Sequence, residues 1–276
     1  MKKIIKQYLI IIQILSALFL LTNCSSFNKN EKPSQLSDKE IYSKGLASLK
    51  KSNYKQAILE FDEVYFNYPF SSLASKSEIM TAYSLYENNE LKKAITKLNN
   101  FIEMNPKGEL TQYAHYLLAM CYYTQTPSAD RDPGSSIKAL NYFKLIISKY
   151  PNSKYAKDSK LKIKYLKNTL AKNELNVGKF YLSTGAPASS IRRFKFILNN
   201  YQNSSVIPET LFRLSEALLI IGLKEEAIKS NAILYYNFPK NKWAKLSKEL
   251  FDNKLDTNKN EYSKLSISNF FKNFFE

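Results

Sequence analysis

Residues that commonly carry catalysis or bind metals are scarce in this sequence of 276 residues. It contains one histidine, His115, and two cysteines, Cys24 and Cys121. A Ser/His/Asp site or a catalytic metal site would have to be built around His115 alone, and two cysteines do not complete the usual ligand set of a structural zinc ion. We therefore predict that His115 is a structural, hydrogen-bonded residue and that Cys121 is a small core residue.

The acidic residues do not form an obvious site either. Two pairs are adjacent in sequence, Asp62-Glu63 and Glu225-Glu226, but adjacent side chains on a helix point in different directions and do not share a substrate. The sequence also has no Gly-rich phosphate-binding loop. We predict no catalytic residue, no metal ligand and no cofactor, and interpret the chain as a non-enzyme. An envelope enzyme acting on peptidoglycan is the alternative from a different class, and it requires a pocket with converging carboxylates of perturbed pKa.

The first 24 residues have the layout of a lipoprotein signal. Three lysines precede an apolar run from residue 8 to 21, and a Leu-Thr-Asn-Cys ending follows at Cys24. The run spans roughly 21 Å as a helix, which is short for a bilayer core of about 30 Å. We predict a signal peptide over 1–23, then a Cys24 that is acylated with palmitate-type chains and a flexible tether over 24–36. The alternative is an incidental thiol at the end of an uncleaved anchor.

The positive charge is carried mainly by lysine. The chain has a formal net charge of +17, and only four of its 41 basic residues are arginine. Base readout and bidentate phosphate contacts rely on arginine, so the composition argues against nucleic acid as a partner. Attraction to anionic lipid headgroups or to an acidic protein fits the charge better.

A spaced pattern of small residue, larger residue and proline recurs through residues 37–240. The copies read Ala57, Phe61, Pro69; Ala94, Leu98, Pro106; Ala139, Phe143, Pro151; Ser190, Phe194, Gln202; and Ala227, Asn231, Pro239. A period of roughly 30 to 50 residues is typical of stacked helical hairpins, and the proline ends the second helix. With only six glycines and nine prolines in the chain, we predict an all-α superhelical solenoid of about five tetratricopeptide-like repeats.

Two insertions divide this array. The first, around residues 124–136, contains Asp130, Arg131, Asp132 and Pro133 and predicts a structural loop inside a hairpin. The second adds residues between copies three and four, where 154–177 contains neither Pro nor Gly, so we predict a long helix. That helix is either a spacer or a rigid element that orients two binding surfaces. The predicted segments are repeats 1–3 over 37–151, the long helix with repeats 4 and 5 over 152–252, and an amphipathic C-terminal helix over 253–276.

The repeat frame also predicts a binding groove, because the first helix of each pair lines the concave side in this type of repeat. The predicted groove residues are Tyr42, Leu46, Ile79, Tyr83, Tyr86 and Tyr116. Tyrosine offers apolar area and a hydroxyl group at low entropic cost, which suits an extended peptide. The alternative is that these rings are simply buried between helices.

A second apolar surface is predicted at the end of the chain. Its residues are Ile267, Phe270, Phe271, Phe274 and Phe275, which follow helical spacing. This stripe either caps the last repeat or docks on a partner or the bilayer surface.

Taken with the repeats, several motifs resemble the BamD (ComL) family of outer-membrane protein assembly lipoproteins. These motifs are the Cys24 ending, Tyr68-Pro69-Phe70-Ser71, Tyr150-Pro151-Asn152-Ser153, the loop from Asp130 to Pro133, and the run from Leu166 to Glu174. The resemblance covers roughly residues 37–240.

The resemblance implies a scaffold that a lipid anchor holds on the periplasmic face of the outer membrane. Its C-terminal half is expected to bind a periplasmic domain of the insertase BamA, with Arg193 matching a family arginine of that contact and Arg192 beside it. Its N-terminal half is expected to recognise C-terminal, aromatic-ended signals of unfolded outer-membrane proteins. Other assembly lipoproteins are further partners that the resemblance allows. The alternative within the same class is another repeat lipoprotein, such as a pilus or cell-envelope assembly factor.

Overall fold

The computed structural model describes residues 36–252, and the regular elements within that range are α-helices with no strand. They are α1 (Asp38–Lys50), α2 (Tyr54–Asn67), α3 (Ala74–Glu87), α4 (Leu91–Met104), α5 (Thr111–Thr124), α6 (Gly134–Lys149), α7 (Lys154–Ser183), α8 (Pro187–Asn200), α9 (Ile207–Ile220), α10 (Lys224–Asn237) and α11 (Lys242–Asp252). Consecutive helices pack against each other as hairpins. The predicted all-α tetratricopeptide-like solenoid is confirmed.

Local sequence signals set where the helices begin and turn. Ser37 and Glu40 form a reciprocal capping box at the start of α1. The side chain of Asn53 accepts a hydrogen bond from the backbone N–H of Gln56 and caps α2. Gly222, with φ of +83°, makes the turn between α9 and α10, a conformation that glycine adopts without a steric penalty.

The second helices of the hairpins end in the same way whether or not a proline follows. After α2, α6 and α8, a serine N–H donates to the carbonyl of the tyrosine three residues earlier, as Ser204 does to Tyr201. Gln202 occupies the proline position after α8, yet α8 ends at Asn200 with this same turn. The hydrogen-bonded turn is therefore sufficient to stop the helix there.

Close packing inside two hairpins depends on glycine. Gly45 of α1 and Gly178 of α7 are buried, and a Cβ atom added to them would lie 2.6 Å from the Phe61 ring and 2.4 Å from the Phe194 ring. In both cases the phenylalanine follows the glycine by sixteen residues. The fourth copy, the most degenerate by its small-residue pattern, thus packs like the first.

The first helices form one layer, because α3 contacts α5, α5 contacts α7 and α7 contacts α9 in addition to the contacts within hairpins. The 30-residue α7 spans two cores. Leu166 and Leu170 belong to a cluster with α5 and α6, whereas Ala171 and Leu175 belong to the cluster of α8 to α11. The predicted long helix therefore contributes side chains to the hydrophobic cores of both halves of the array.

Several predictions fall on residues that the structure does not describe. These are the signal peptide over 1–23, the lipidated Cys24, all but the last residue of the tether over 24–36, and the C-terminal helix over 253–276 with its phenylalanine stripe. The helices between residues 36 and 252 include none that is long and apolar enough to cross a membrane.

Candidate binding surfaces

Tyrosines from three first helices come together as one cluster. We call Tyr83 and Tyr86 of α3, Tyr113 and Tyr116 of α5 and Tyr155 of α7 the tyrosine cluster. The Tyr116 and Tyr155 rings are stacked with centroids 4.9 Å apart, and the Tyr113 and Tyr155 centroids are 5.6 Å apart. Tyr83 and Tyr86 pack on the same core as Tyr113. All five side chains are half-buried, so they offer both ring area and hydroxyl groups.

Hydrogen bonds fix the polar edge of this cluster. Tyr116 Oη donates a hydrogen bond to Asp158 Oδ2 at 2.6 Å. Lys162 Nζ forms an ion pair with the same carboxylate, 2.9 Å from Oδ2. Burial alone would raise the pKa of Asp158, but these two donors hold it below the ordinary value. Burial raises the pKa of Tyr113 and, together with Asp158, that of Tyr116. Both phenols are therefore neutral at physiological pH and can act as hydrogen-bond donors.

A cavity of about 720 Å³ opens beside the tyrosine cluster, between the start of α5 and the start of α7. Its walls include Tyr113, Tyr155, Tyr150, Gln112 and Lys154. Glu109 also lines the cavity, so the site combines aromatic surface with an ammonium group, an amide and one carboxylate. The rings and Lys154 suit an aromatic side chain next to a carboxylate.

The remaining predicted groove residues are Tyr42 and Leu46 on α1 and Ile79 on α3, beneath the tyrosine cluster. Tyr42 packs edge-on against Phe61, with centroids 5.3 Å apart, and Leu46 is 43% exposed on α1. Ile79 is only 3% exposed and belongs to the core of α3 to α5, so its prediction as a groove residue is wrong. The repeat spacing places Ile79 on α3 as predicted, but this side of α3 is buried in the core of α3 to α5 and does not face a groove.

Tyr155 and Asp158 are site residues that the repeat frame missed. The frame counts back from the small residue of each second helix, and α7 is much longer than the other first helices. Ser153 caps α7 by accepting from the backbone N–H of Ala156. Counting forward from this cap would have found both residues on the first turns of the helix.

A second surface lies at the other end of α7. We call Phe180, Tyr181, Arg192, Arg193 and Phe196 the arginine–aromatic surface; apart from the exposed Phe180, they line a shallow cavity of about 320 Å³ with Ser189. Arg193 Nη1 is 3.0 Å from Glu174 Oε2, and its side chain remains 43% exposed. The hydrogen bond that Arg193 donates to the Glu174 carboxylate raises the pKa of Arg193. Exposed arginine between aromatic rings is typical of protein interfaces.

The predicted structural loop is tied to α7. Asn173 Nδ2 donates to the carbonyl oxygens of Ala129 and Arg131 at 2.9 and 3.0 Å. Pro133 then forms the N-terminal cap position of α6. The loop residues Asp130, Arg131 and Asp132 are exposed, so the backbone of the loop, rather than its charged side chains, makes these contacts.

The remaining reactive residues are buried in the helical core. His115 is 7% exposed, and within residues 36–252 neither ring nitrogen has a protein hydrogen-bond partner, so the hydrogen bond predicted for this histidine is not found in that range. Burial, with Lys149, lowers the pKa of His115, so the ring is accommodated as the neutral form beside Tyr150. Burial raises the pKa of the Cys121 thiol to about 12, which disfavours the nucleophilic thiolate. Within residues 36–252, His, Cys, Asp and Glu do not form a group that could hold a metal ion.

The side chains of the adjacent acidic residues Asp62 and Glu63 point in different directions. Asp62 turns inward, where Lys97 Nζ lies 2.9 Å from its Oδ1 and Thr81 donates to the same oxygen, while Glu63 is exposed. The two carboxylates therefore do not converge on a common substrate position.

Comparison with known proteins identifies the family. The family model described as YfiO, outer membrane lipoprotein, matches residues 34–233. The chain belongs to the YfiO family of outer membrane lipoproteins. This range contains the tyrosine cluster and the arginine–aromatic surface, and membership associates the chain with the outer membrane.

Characterised relatives of this YfiO family member carry a consistent name. The chain is 38% identical over 213 residues to the outer membrane protein assembly factor BamD of Caulobacter vibrioides, which covers 77% of this chain and 68% of the relative. It is 35% identical over 213 residues to BamD of Rickettsia prowazekii, covering 77% and 85%. Among solved structures, the TPR2AB-domain:pHSP90 complex of yeast Sti1 matches with a TM-score of 0.45 and 14% identity over 77% of this chain and 82% of that one. The predicted resemblance to the BamD family is confirmed.

Proposed function

We propose that this chain is a non-catalytic, lipid-anchored scaffold on the periplasmic face of the outer membrane, where it assists the assembly of β-barrel proteins. Family membership and the assembly-factor name of the relatives support the general role. Acylation of Cys24 would supply the anchor, since several acyl chains hold a protein to a bilayer far more firmly than one.

The substrate we propose is the C-terminal, aromatic-ended signal of an unfolded outer-membrane protein. The observation that carries this proposal is the tyrosine cluster beside the 720 Å³ cavity. An aromatic terminal side chain would pack on the rings, and its carboxylate would lie near Lys154. Extended peptides also present backbone carbonyls, to which the neutral Tyr113 phenol can donate, whereas the Tyr116 hydroxyl already donates to Asp158.

The second partner we propose is a periplasmic domain of BamA, bound by the arginine–aromatic surface. Arg193 is oriented by Glu174 and remains half-exposed, so it can reach an acidic group on another protein. Holding the signal peptide and the insertase on one rigid array would raise the effective concentration of substrate at the insertase. This mechanism needs no energy source.

The peptide proposal is tested by removing two rings of the cluster. In Tyr83→Ala with Tyr86→Ala, we expect affinity for a synthetic porin C-terminal peptide to fall by about tenfold or more, since aromatic anchors carry much of the binding energy of an interface. Fluorescence anisotropy with a labelled peptide measures this. The matched control is Tyr235→Ala with Tyr236→Ala, two exposed tyrosines of α10. Unchanged affinity in the α3 variant, or an equal loss in the control, would remove Tyr83 and Tyr86 from the site.

A further inference from the structure

One stripe along α7 changes from charged to apolar halfway along the helix. Its residues, spaced at i, i+4, i+7, i+11, i+15 and i+18, are Lys160, Lys164, Lys167, Ala171, Leu175 and Gly178. Such spacing places all six on one face. The three lysines are exposed, whereas the three apolar residues are buried. We call the lysine part of this stripe the lysine ledge.

The change occurs where α8 stops covering α7. The Phe194 ring packs on Gly178, and α8 ends at Asn200. The loop after α8 is then held by Asn168, whose Oδ1 accepts from Ser204 Oγ at 2.8 Å and from the Ser205 N–H at 3.0 Å. The first half of α7 therefore extends past its hairpin partner, and within residues 36–252 no helix covers the lysine ledge.

The ledge forms one wall of a recess of about 710 Å³. Half-buried Ile163 and Tyr201 contribute apolar surface. The facing wall carries the amide of Asn199, in the last turn of α8, and those of Gln202 and Asn203, in the loop after it. Among the described residues that line the recess, none is acidic. Like charges at i, i+3 and i+4 repel each other along a helix, and an anionic ligand would relieve that repulsion.

We propose that the lysine ledge docks an acidic polypeptide segment of a partner protein. Side-chain amides pair well with peptide backbone groups, and the apolar surface can accept a side chain of the same segment. A bilayer is flat and would contact lysines on a projecting face, whereas these line a recess beside a loop. The recess favours a narrow chain over a membrane surface.

The lysine ledge is separate from the two surfaces that carry the proposed function. Lys160 and Tyr181 are 21 residues apart on α7, which is roughly 30 Å along a helix, whereas Lys167 and Glu174 are roughly 10 Å apart. The recess also meets the arginine–aromatic surface at one contact, because Tyr201 packs edge-on against Phe196 with ring centroids 5.9 Å apart. The tyrosine cluster uses Tyr155 and the Asp158 side of α7. Substituting the three lysines leaves these residues unchanged, so docking at the ledge is tested independently of peptide or BamA binding.

Binding of a fluorescein-labelled poly-glutamate peptide to the full chain in detergent tests the ledge. We compare the native chain with Lys160→Gln/Lys164→Gln/Lys167→Gln, because glutamine keeps the helix propensity of lysine. The matched control, Lys224→Gln/Lys229→Gln/Lys245→Gln, removes the same charge from exposed positions of α10 and α11. We expect the ledge variant to bind on the order of tenfold more weakly, since each exposed ion pair contributes a few-fold, and the control to bind like the native chain.

Two further measurements complete the experiment, one at increasing salt concentration and one with lipid vesicles. Native binding should weaken as salt rises, and the ledge variant should show a shallower dependence. Absence of native binding, or equal losses in both triple variants, overturns the proposal. It is also overturned if vesicles of phosphatidylethanolamine and phosphatidylglycerol bind through these three lysines while the peptide does not. Retained binding of the porin peptide by the ledge variant would keep the proposed function separate from this result.

Discussion

Glycine at two positions permits the helices of a hairpin to approach closely. A Cβ atom on Gly178 would lie 2.4 Å from Phe194 Cε1, closer than carbon atoms pack, so the ring or the helix must move. We expect Gly178→Ala to lower the free energy of unfolding by about 1–3 kcal/mol, as overpacking does in other cores. Urea denaturation followed by circular dichroism measures the loss.

A second substitution separates crowding from helix propensity. In Gly178→Ala/Phe194→Leu, the smaller side chain at 194 makes room for the new methyl group, so the double variant should be more stable than the sum of the two single changes. Alanine favours helix over glycine, and a stabilised Gly178→Ala single variant would show that the contact with Phe194 is unimportant.

Arg193 is the residue through which partner binding is most directly tested. In Arg193→Glu we expect co-purification with BamA to be lost, because a half-exposed arginine would be replaced by the opposite charge. The fold should persist, since an exposed ion pair such as Arg193–Glu174 contributes less than about 1 kcal/mol. Circular dichroism of the same preparation checks the fold.

The charge-swapped variant Glu174→Arg/Arg193→Glu is the control for this experiment. It restores an ion pair inside the chain but leaves the wrong charge at position 193. If the swap recovers BamA binding, Arg193 acts only by holding α7 and α8 together, and direct contact with the partner is excluded.

Individual residues also show where sequence reasoning succeeds and where it stops. The sixteen-residue spacing of Gly178 and Phe194 repeats that of Gly45 and Phe61, so this contact was predictable from the pattern. Ile79 and His115 were harder cases. Whether Ile79 faces solvent and whether His115 finds a hydrogen-bond partner depend on which helix packs beside them, and the position within a repeat does not specify that.

At the scale of elements, α7 holds the loops on either side of it through two asparagine side chains. Asn173 donates to the 128–133 loop, and Asn168 accepts from the loop after α8. We expect Asn173→Ala to cost about 1 kcal/mol, since both carbonyl groups can turn to water. The clearest effect should be faster hydrogen exchange in the loop, including the Arg131 N–H, which donates to Ser128.

Asn176→Ala is the matched control, because Asn176 is an exposed asparagine on the same helix. It should leave exchange in the loop unchanged. Unaltered loop exchange in Asn173→Ala would mean that the loop is ordered by its own turn and by Pro133, without help from α7.

Helix boundaries were largely predictable because their signals are local. The capping box at Ser37, the turn at Gly222 and the absence of Pro and Gly from 154–177 all act within a few residues. Gln202 shows the limit of such signals, since the proline rule would have left the end of α8 undefined. The hydrogen-bonded turn from Tyr201 to Ser204 supplies the stop instead.

At the scale of the whole array, the number of helical pairs was predictable but the coupling between its halves was not. A period identifies hairpins, and neighbouring hairpins bury each other's apolar faces. It does not say which side chains bridge two cores. The asparagine hydrogen bonds of α7 join residues 36 to 44 positions apart in sequence, and Tyr201 packs on two clusters at once. The insertions shift these distances away from the repeat period.

Tyr201 joins the two halves of the array, and its removal should separate their unfolding. The half-buried ring packs against both the cluster of α5 to α7 and the cluster of α7 to α11. The chain has a single tryptophan, Trp243, which packs on Phe212 in the C-terminal cluster, so its fluorescence reports that half while circular dichroism reports all helices. In the native chain we expect the two urea transitions to coincide.

In Tyr201→Ala the fluorescence transition should move to lower urea than the dichroism midpoint, by an amount that corresponds to about 2 kcal/mol. The C-terminal cluster would lose packing against the Tyr201 ring. The hairpins of α1 to α4 pack mainly against adjacent helices within the described residues and should keep their stability. Tyr236→Ala removes an exposed ring of the same size from α10 and should leave both transitions together. If Tyr201→Ala shifts both transitions equally, α7 alone couples the unfolding of the two halves. A helix rigid enough to do so would also hold the two proposed binding surfaces at a fixed distance.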